Sequence, residues 1–157
     1  GKWLEKWKAA GYTVDSEFTG AEGQHNGYVT LPDGVRVELQ EDQMLSVEVV
    51  GYHIHYFTPE FESLLDWYVD VFGLEKLPRG RIETTTNVPG MNMSFGNARG
   101  EAVPTRGRAI DHIGFEVENL IELQPPIDAE ESRYPFASLD WARQWPIEEA
   151  WIVRKTG

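Results

Sequence analysis

Two short stretches of the chain share one pattern. Tyr52-His53-Ile54-His55-Tyr56 aligns with Asp111-His112-Ile113-Gly114-Phe115, a histidine followed by alternating apolar positions in each. A strand sends successive side chains to opposite faces. His53, His55 and Phe57 therefore share one face, as do His112, Gly114 and Glu116. Tyr52, Ile54 and Tyr56 share the other, as do Asp111, Ile113 and Phe115. A third stretch alternates as strictly: Val35, Val37 and Leu39 face one way, Arg36 and Glu38 the other. The pattern predicts strands whose apolar side packs under a helix and whose open side carries imidazoles and a carboxylate.

The elements between these stretches follow from local signals. Residues 2–10 predict a short helix with Trp3, Leu4 and Trp7 on one face and Gly11 as its stop. Strands are expected at Tyr12–Phe18, Gly27–Leu31 and Val35–Leu39, with a polar loop at Thr19–Asn26 and a Pro32-Asp33-Gly34 turn. An acidic, then apolar connector spans 40–50, and a strand follows at Val49–Phe57. Thr58 is the expected cap of a second helix, with Pro59 at its first position and Glu60 near the positive end of its dipole. Phe61, Leu64, Leu65, Tyr68 and Phe72 form the apolar stripe of that helix, and Gly73 ends it. Further strands are expected at Arg81–Thr86, Met91–Gly96 and Ala109–Glu118. Residues 121–157 read as a separate Trp-rich tail set off by Pro125-Pro126. Ser138–Gln144 could form a short helix there, and Trp141, Trp145 and Trp151 need burial against this chain or a partner.

Composition narrows the function classes. The 157 residues suit one domain or one domain plus a tail, and 41% apolar residues supply a core. A net charge of −12 argues against nucleic acid or an anionic membrane as partner, because both select clustered Lys and Arg. The lack of cysteine excludes disulfides, thiolate metal sites and a thiol nucleophile. No apolar run approaches the roughly 20 residues of a membrane span. No signal peptide is visible, so the cytoplasm is the default compartment, and the Gly-Lys-Trp start leaves room for an upstream segment. Phosphate-loop, dinucleotide and Gly-x-Ser-x-Gly motifs are missing.

A lone histidine on a strand is usually structural or surface. Two histidines at matching positions of matching strands, joined by Glu38 on the open face of its own strand, make metal binding the sharper reading. Two imidazoles and a carboxylate suit Fe, Mn, Zn, Ni or Co as divalent ions, with positions left open for substrate. His55, Glu116 and Arg36 also face the open side and are candidate substrate contacts; for His55 a structural role is the alternative. His25 lies in the polar loop, where solvent is the default.

Asp111-His112-Ile113-Gly114-Phe115-Glu116-Val117 resembles the first strand of a module of the vicinal-oxygen-chelate superfamily. That superfamily includes glyoxalases, extradiol dioxygenases and bleomycin-resistance proteins. Pro32-Asp33-Gly34-Val35-Arg36-Val37-Glu38-Leu39 is similar to its last strand, and Tyr52–Phe57 to the opening strand of the other module. The resemblance covers about 120 of the 157 residues. It implies an α+β fold in which paired βαβββ modules form a curved mixed sheet around a cleft, with His53, His112 and Glu38 as metal ligands. It implies a divalent-metal-dependent enzyme acting on a small molecule through two adjacent oxygens, as a dioxygenase, lyase, isomerase or transferase. Gly90-Met91-Asn92-Met93-Ser94-Phe95 aligns with Gly34–Leu39 and puts Ser94 where a second ligand Glu would sit, so the four-ligand pattern is not met.

The order of the pieces departs from the family. Residues 1–46 match the later part of one module, 47–105 the other module, and 106–120 an opening strand whose helix and strands do not follow it. An extended chain from Leu39 to Tyr52 reaches at most about 45 Å, at roughly 3.3–3.6 Å per residue. A permuted monomer is sterically allowed, and a homodimer that exchanges 109–118 serves equally well. A metal-free drug-binding protein of the bleomycin-resistance type and a recombined fragment without activity are the rival readings.

Overall fold

The computed structural model describes residues 2–118. Helix α1 (Lys2–Ala9) is followed by β1 (Ser16–Thr19), β2 (His25–Thr30) and β3 (Arg36–Gln40), which pair antiparallel in the order β1-β2-β3. After a connector come β4 (His53–Phe57), α2 (Phe61–Phe72), β5 (Thr85–Val88) and β6 (Met91–Gly96). These strands form a second sheet in the order β4-β6-β5, with β4 parallel and β5 antiparallel to β6. A parallel pair needs a crossover, and α2 lies within it. The described residues are α+β, with two small three-stranded sheets and two helices.

Each helix is held by residues its sequence marks out. Leu4 is buried over Gly27 of β2, where a Cβ would come within 2.7 Å of the leucine methyls. Trp3 and Trp7 fasten α1 by indole N–H donation to the carbonyls of Glu48 (3.1 Å) and Thr13 (3.2 Å). Helix α2 packs its stripe on the second sheet. Leu65, Met93 and Phe95 form the buried centre, with Ile54, Tyr56, Phe61, Leu64 and Tyr68 against it. Burial of one such side chain contributes about 1.5–3 kcal/mol, so this cluster fixes β4 and β6 under α2. Gly73 ends the helix in the left-handed region at φ 61°, and the Leu74 N–H bonds the Val69 carbonyl at 2.9 Å.

Several elements are shorter than their patterns. Helix α2 begins at Phe61, because Thr58 Oγ1 instead accepts the Glu60 N–H (3.4 Å) in a turn ahead of it. The strands expected from Tyr12 and Val49 begin at Ser16 and His53, and Val47, Val49 and Val50 are exposed. The strand expected at Arg81–Thr86 forms at Thr85–Val88, since Arg79 and Ile82 exchange backbone bonds of 2.9 and 3.0 Å in a tight turn. No strand forms at Ala109–Glu118. Its alternation survives as burial: Ile113, Phe115 and Val117 are half-buried and their neighbours exposed. The Phe115 ring packs at a tilt, its centroid 5.0 Å from that of Phe72 and 6.1 Å from that of Tyr68. Side-chain alternation places those residues, but a strand also needs a hydrogen-bonding neighbour, and among the described residues this segment has none. The tail at 121–157, with its expected helix and three tryptophans, lies outside the described residues. Among the described residues no helix is long and apolar enough to cross a membrane.

Candidate metal centre

Strand register assembles the site. In the first sheet Tyr28 pairs with Glu38 and Asn26 with Gln40, so these four side chains share the face opposite Val29 and Val37. In the second sheet His53 pairs with Asn92, and Ser94 pairs with both His55 and Thr85. These polar residues share the face turned away from α2. The two polar faces meet at β3 and β4, each of which has a single ladder partner among the described residues. Asn26, Arg79, Thr85, Thr86, Asn92 and Ser94 are all buried, an unusual polar share for a small core.

Glu38 Oε2 lies 3.3 Å from His53 Nε2. Their side chains are only 12% and 7% exposed. Asn26 Nδ2 donates to the other carboxylate oxygen, Oε1, at 2.6 Å. The His55 ring stands edge-on to His53 with centroids 4.9 Å apart, and stacks against Phe57 on its far side. One ligand-type atom each from Glu38, His53 and His55 lies within 4.8 Å of the others.

The electrostatics favour a charged Glu38 carboxylate and an uncharged His55 ring. Burial alone would raise the Glu38 pKa, but hydrogen bonds from His53, Asn26 and Tyr28 outweigh it and lower the value to about 2. Burial lowers the His55 pKa, and the nearby His53 and Arg79 charges lower it further. Burial and the bond to Glu38 raise that of the Tyr28 hydroxyl. An ionised carboxylate beside uncharged imidazole is the protonation state a divalent cation requires. The His53 ring also keeps its buried Nδ1 without a hydrogen-bond partner among the described residues. The donor set and that orphaned nitrogen fit a first-row divalent ion held by Glu38, His53 and His55.

Glu38 and His53 come together, and His55 stands third in the group. His112 is 83% exposed, hydrogen-bonded through Nδ1 to Asp111 at 3.0 Å, and outside that group. Its segment lacks the ladder that would carry it to β3. Glu116 is exposed on the same extended segment. Arg36 lays its guanidinium over the Tyr28 ring at 3.6 Å. Ser94 is buried, donates to Asn92 Oδ1 at 2.9 Å and receives Arg79 Nη2 at 3.4 Å. His25 begins β2 beside Glu17, 3.0 Å away.

Sequence reasoning missed the polar residues around the trio, above all Asn26, Gln40, Glu22, Arg79 and Asn92. The alternation of β2 and β6 carries a signal for Asn26 and Asn92. Arg79 and Glu22 lie in loops and carry none. Comparison of the chain with family models, with curated proteins and with solved structures finds no match.

Proposed function

We propose that the chain is a divalent-metal-dependent enzyme of the vicinal-oxygen-chelate type, acting on a small molecule that offers two adjacent oxygens. The observation that carries the reading is the cluster of Glu38, His53 and His55, whose ligand-type atoms lie within 4.8 Å of one another. The β4-α2-β5-β6 connectivity, with β4 parallel to β6, is compatible with the module expected for residues 47–105. A bound divalent ion would supply a Lewis acid with positions left open for the substrate oxygens. Glu38 offers a single oxygen, Oε2, because Asn26 holds Oε1. Phe57, stacked on His55 and 57% exposed, gives an apolar wall beside the site. No proton-transfer base is assigned, and Ser94 offers no second carboxylate.

A second arrangement of the same site has its own support. The Asp111–Phe115 stretch repeats the Tyr52–Tyr56 pattern, and among the described residues β3 has one open edge. A second copy that lays its 109–118 segment along β3 would bring its His112 towards Glu38, and the protein would then be a homodimer. Titration with Zn(II) or Co(II) tests the reading. The reading expects one ion per chain and loss of binding in His53→Ala. A protein that binds neither ion, or binds as well after His53→Ala, defeats it. His112→Ala separates the arrangements: unchanged affinity assigns the site to one chain, and weakened affinity assigns His112 to it.

A further inference from the structure

We propose that Arg79, a loop residue far from Glu38 in the sequence, is a positioning residue that orients Glu38 for the ion; this rests on the metal-binding reading above. The link is a run of side-chain hydrogen bonds across the two sheets. Arg79 Nη1 donates to Glu22 Oε2 at 3.1 Å. Gln40 Nε2 donates to the same oxygen at 3.1 Å. Asn26 Nδ2 donates to Gln40 Oε1 at 3.1 Å and to Glu38 Oε1 at 2.6 Å. Glu38 Oε2 then faces His53 Nε2 at 3.3 Å.

The Glu22 carboxylate, which can only accept, sets the direction of the later bonds, and Arg79 holds that carboxylate in place. A guanidinium only donates and keeps its charge at any ordinary pH. Glu22 must therefore accept, and it already accepts the Tyr52 hydroxyl as well. Gln40 meets Glu22 with its NH2 and is left with its carbonyl towards Asn26. Asn26 must then donate, and both its amide protons are committed, one to Gln40 and one to Glu38. Glu38 Oε1 can only accept, which turns Oε2 towards His53 and the place of an ion. The orientation leaves Asn26 Oδ1 buried without a partner among the described residues. A flipped amide would instead set that oxygen against two acceptors. The orphaned acceptor marks an orientation imposed by the relay.

Arg79 reaches the histidine strand as well. Its side chain is 7% exposed, and Nε donates to Asn92 Oδ1 at 2.9 Å while Nη2 reaches Ser94 Oγ. Asn92 and Ser94 are the ladder partners of His53 and His55. One guanidinium thus ties the strand beside both imidazoles to the residues that orient the carboxylate.

The test is Zn(II) affinity, measured by competition with a chromophoric chelator, in Arg79→Met, Gln40→Met and Arg81→Met. Arg81 grips the same loop through Gly20 O at 3.2 Å but stands outside the relay. Arg79→Met and Gln40→Met are expected to weaken binding about 10–100-fold, the range for partners that orient a ligand. Arg81→Met is expected to stay within about twofold, which separates positioning from simple clamping of the loop. Gln40 is only half-buried, so Gln40→Met decides the matter should Arg79→Met fail to fold. Folded relay variants that bind like wild type overturn the proposal, as does an equal loss in Arg81→Met. A second readout needs no metal: the Asn26 amide protons should exchange slowly in wild type and rapidly in Gln40→Met. A wild-type protein that binds no Zn(II) but shows that protection defeats the metal reading and leaves the relay standing. Equal exchange in both proteins defeats the relay.

Discussion

A single carboxylate concentrates most of the chemistry. Glu38 is half-buried, yet its hydrogen bonds from His53, Asn26 and Tyr28 hold its pKa at about 2 against the effect of burial. Its folded-state value is depressed, so its contribution to stability is fully present above the ordinary carboxylate range. That contribution is lost as pH falls from about 4.5 towards about 2. Metal-free wild-type protein should therefore lose melting temperature across that window more steeply than Glu38→Gln, as followed by circular dichroism. Parallel slopes would remove the claim that the folded state stabilises the ionised form. The position of Glu38 was legible in the sequence, because strict alternation from Val35 to Leu39 leaves it on the open face. His53 was legible for the same reason. Alternation could not rank His55 against His112, since both lie on open faces. Which of them stands near Glu38 depends on whether their segments find ladder partners.

At the scale of elements, α2 and β6 were the most legible parts. The stripe from Phe61 to Phe72 and the stretch Met91–Gly96 form where their patterns place them, because each buries its apolar face against the other. Leu65→Ala removes the helix's buried centre and should cost about 2–5 kcal/mol in urea unfolding. The junction between the sheets was not legible, since it is made by two loops. Gly80 sits at φ +56°, and a Cβ there would come within 2.2 Å of the Ala21 carbonyl oxygen. The Arg81 N–H bonds that same oxygen at 3.2 Å. Gly80→Ala should therefore cost about 2–4 kcal/mol, from left-handed strain and the clash with backbone together. It should also weaken metal binding, because Glu22 and Arg79 approach each other across that contact. An Ala variant as stable as wild type would show that the loops move apart freely.

At the scale of the molecule, two sheets with a polar meeting face replace the single curved sheet the sequence suggested. Strand order within each sheet and the buried polar seam between them are tertiary facts, and no local pattern carries them. Should the proposed homodimer form, light scattering across a dilution series would read twice the 17.9 kDa chain mass, and a constant 17.9 kDa would contradict it. The central claim is narrower: Glu38, His53 and His55 hold one divalent ion. Isothermal titration of the wild-type chain and of His53→Ala with Zn(II) tests it most directly. The account predicts one ion per wild-type chain and no measurable binding to a folded His53→Ala. Equal binding by the two proteins, or none by the wild type, would contradict it.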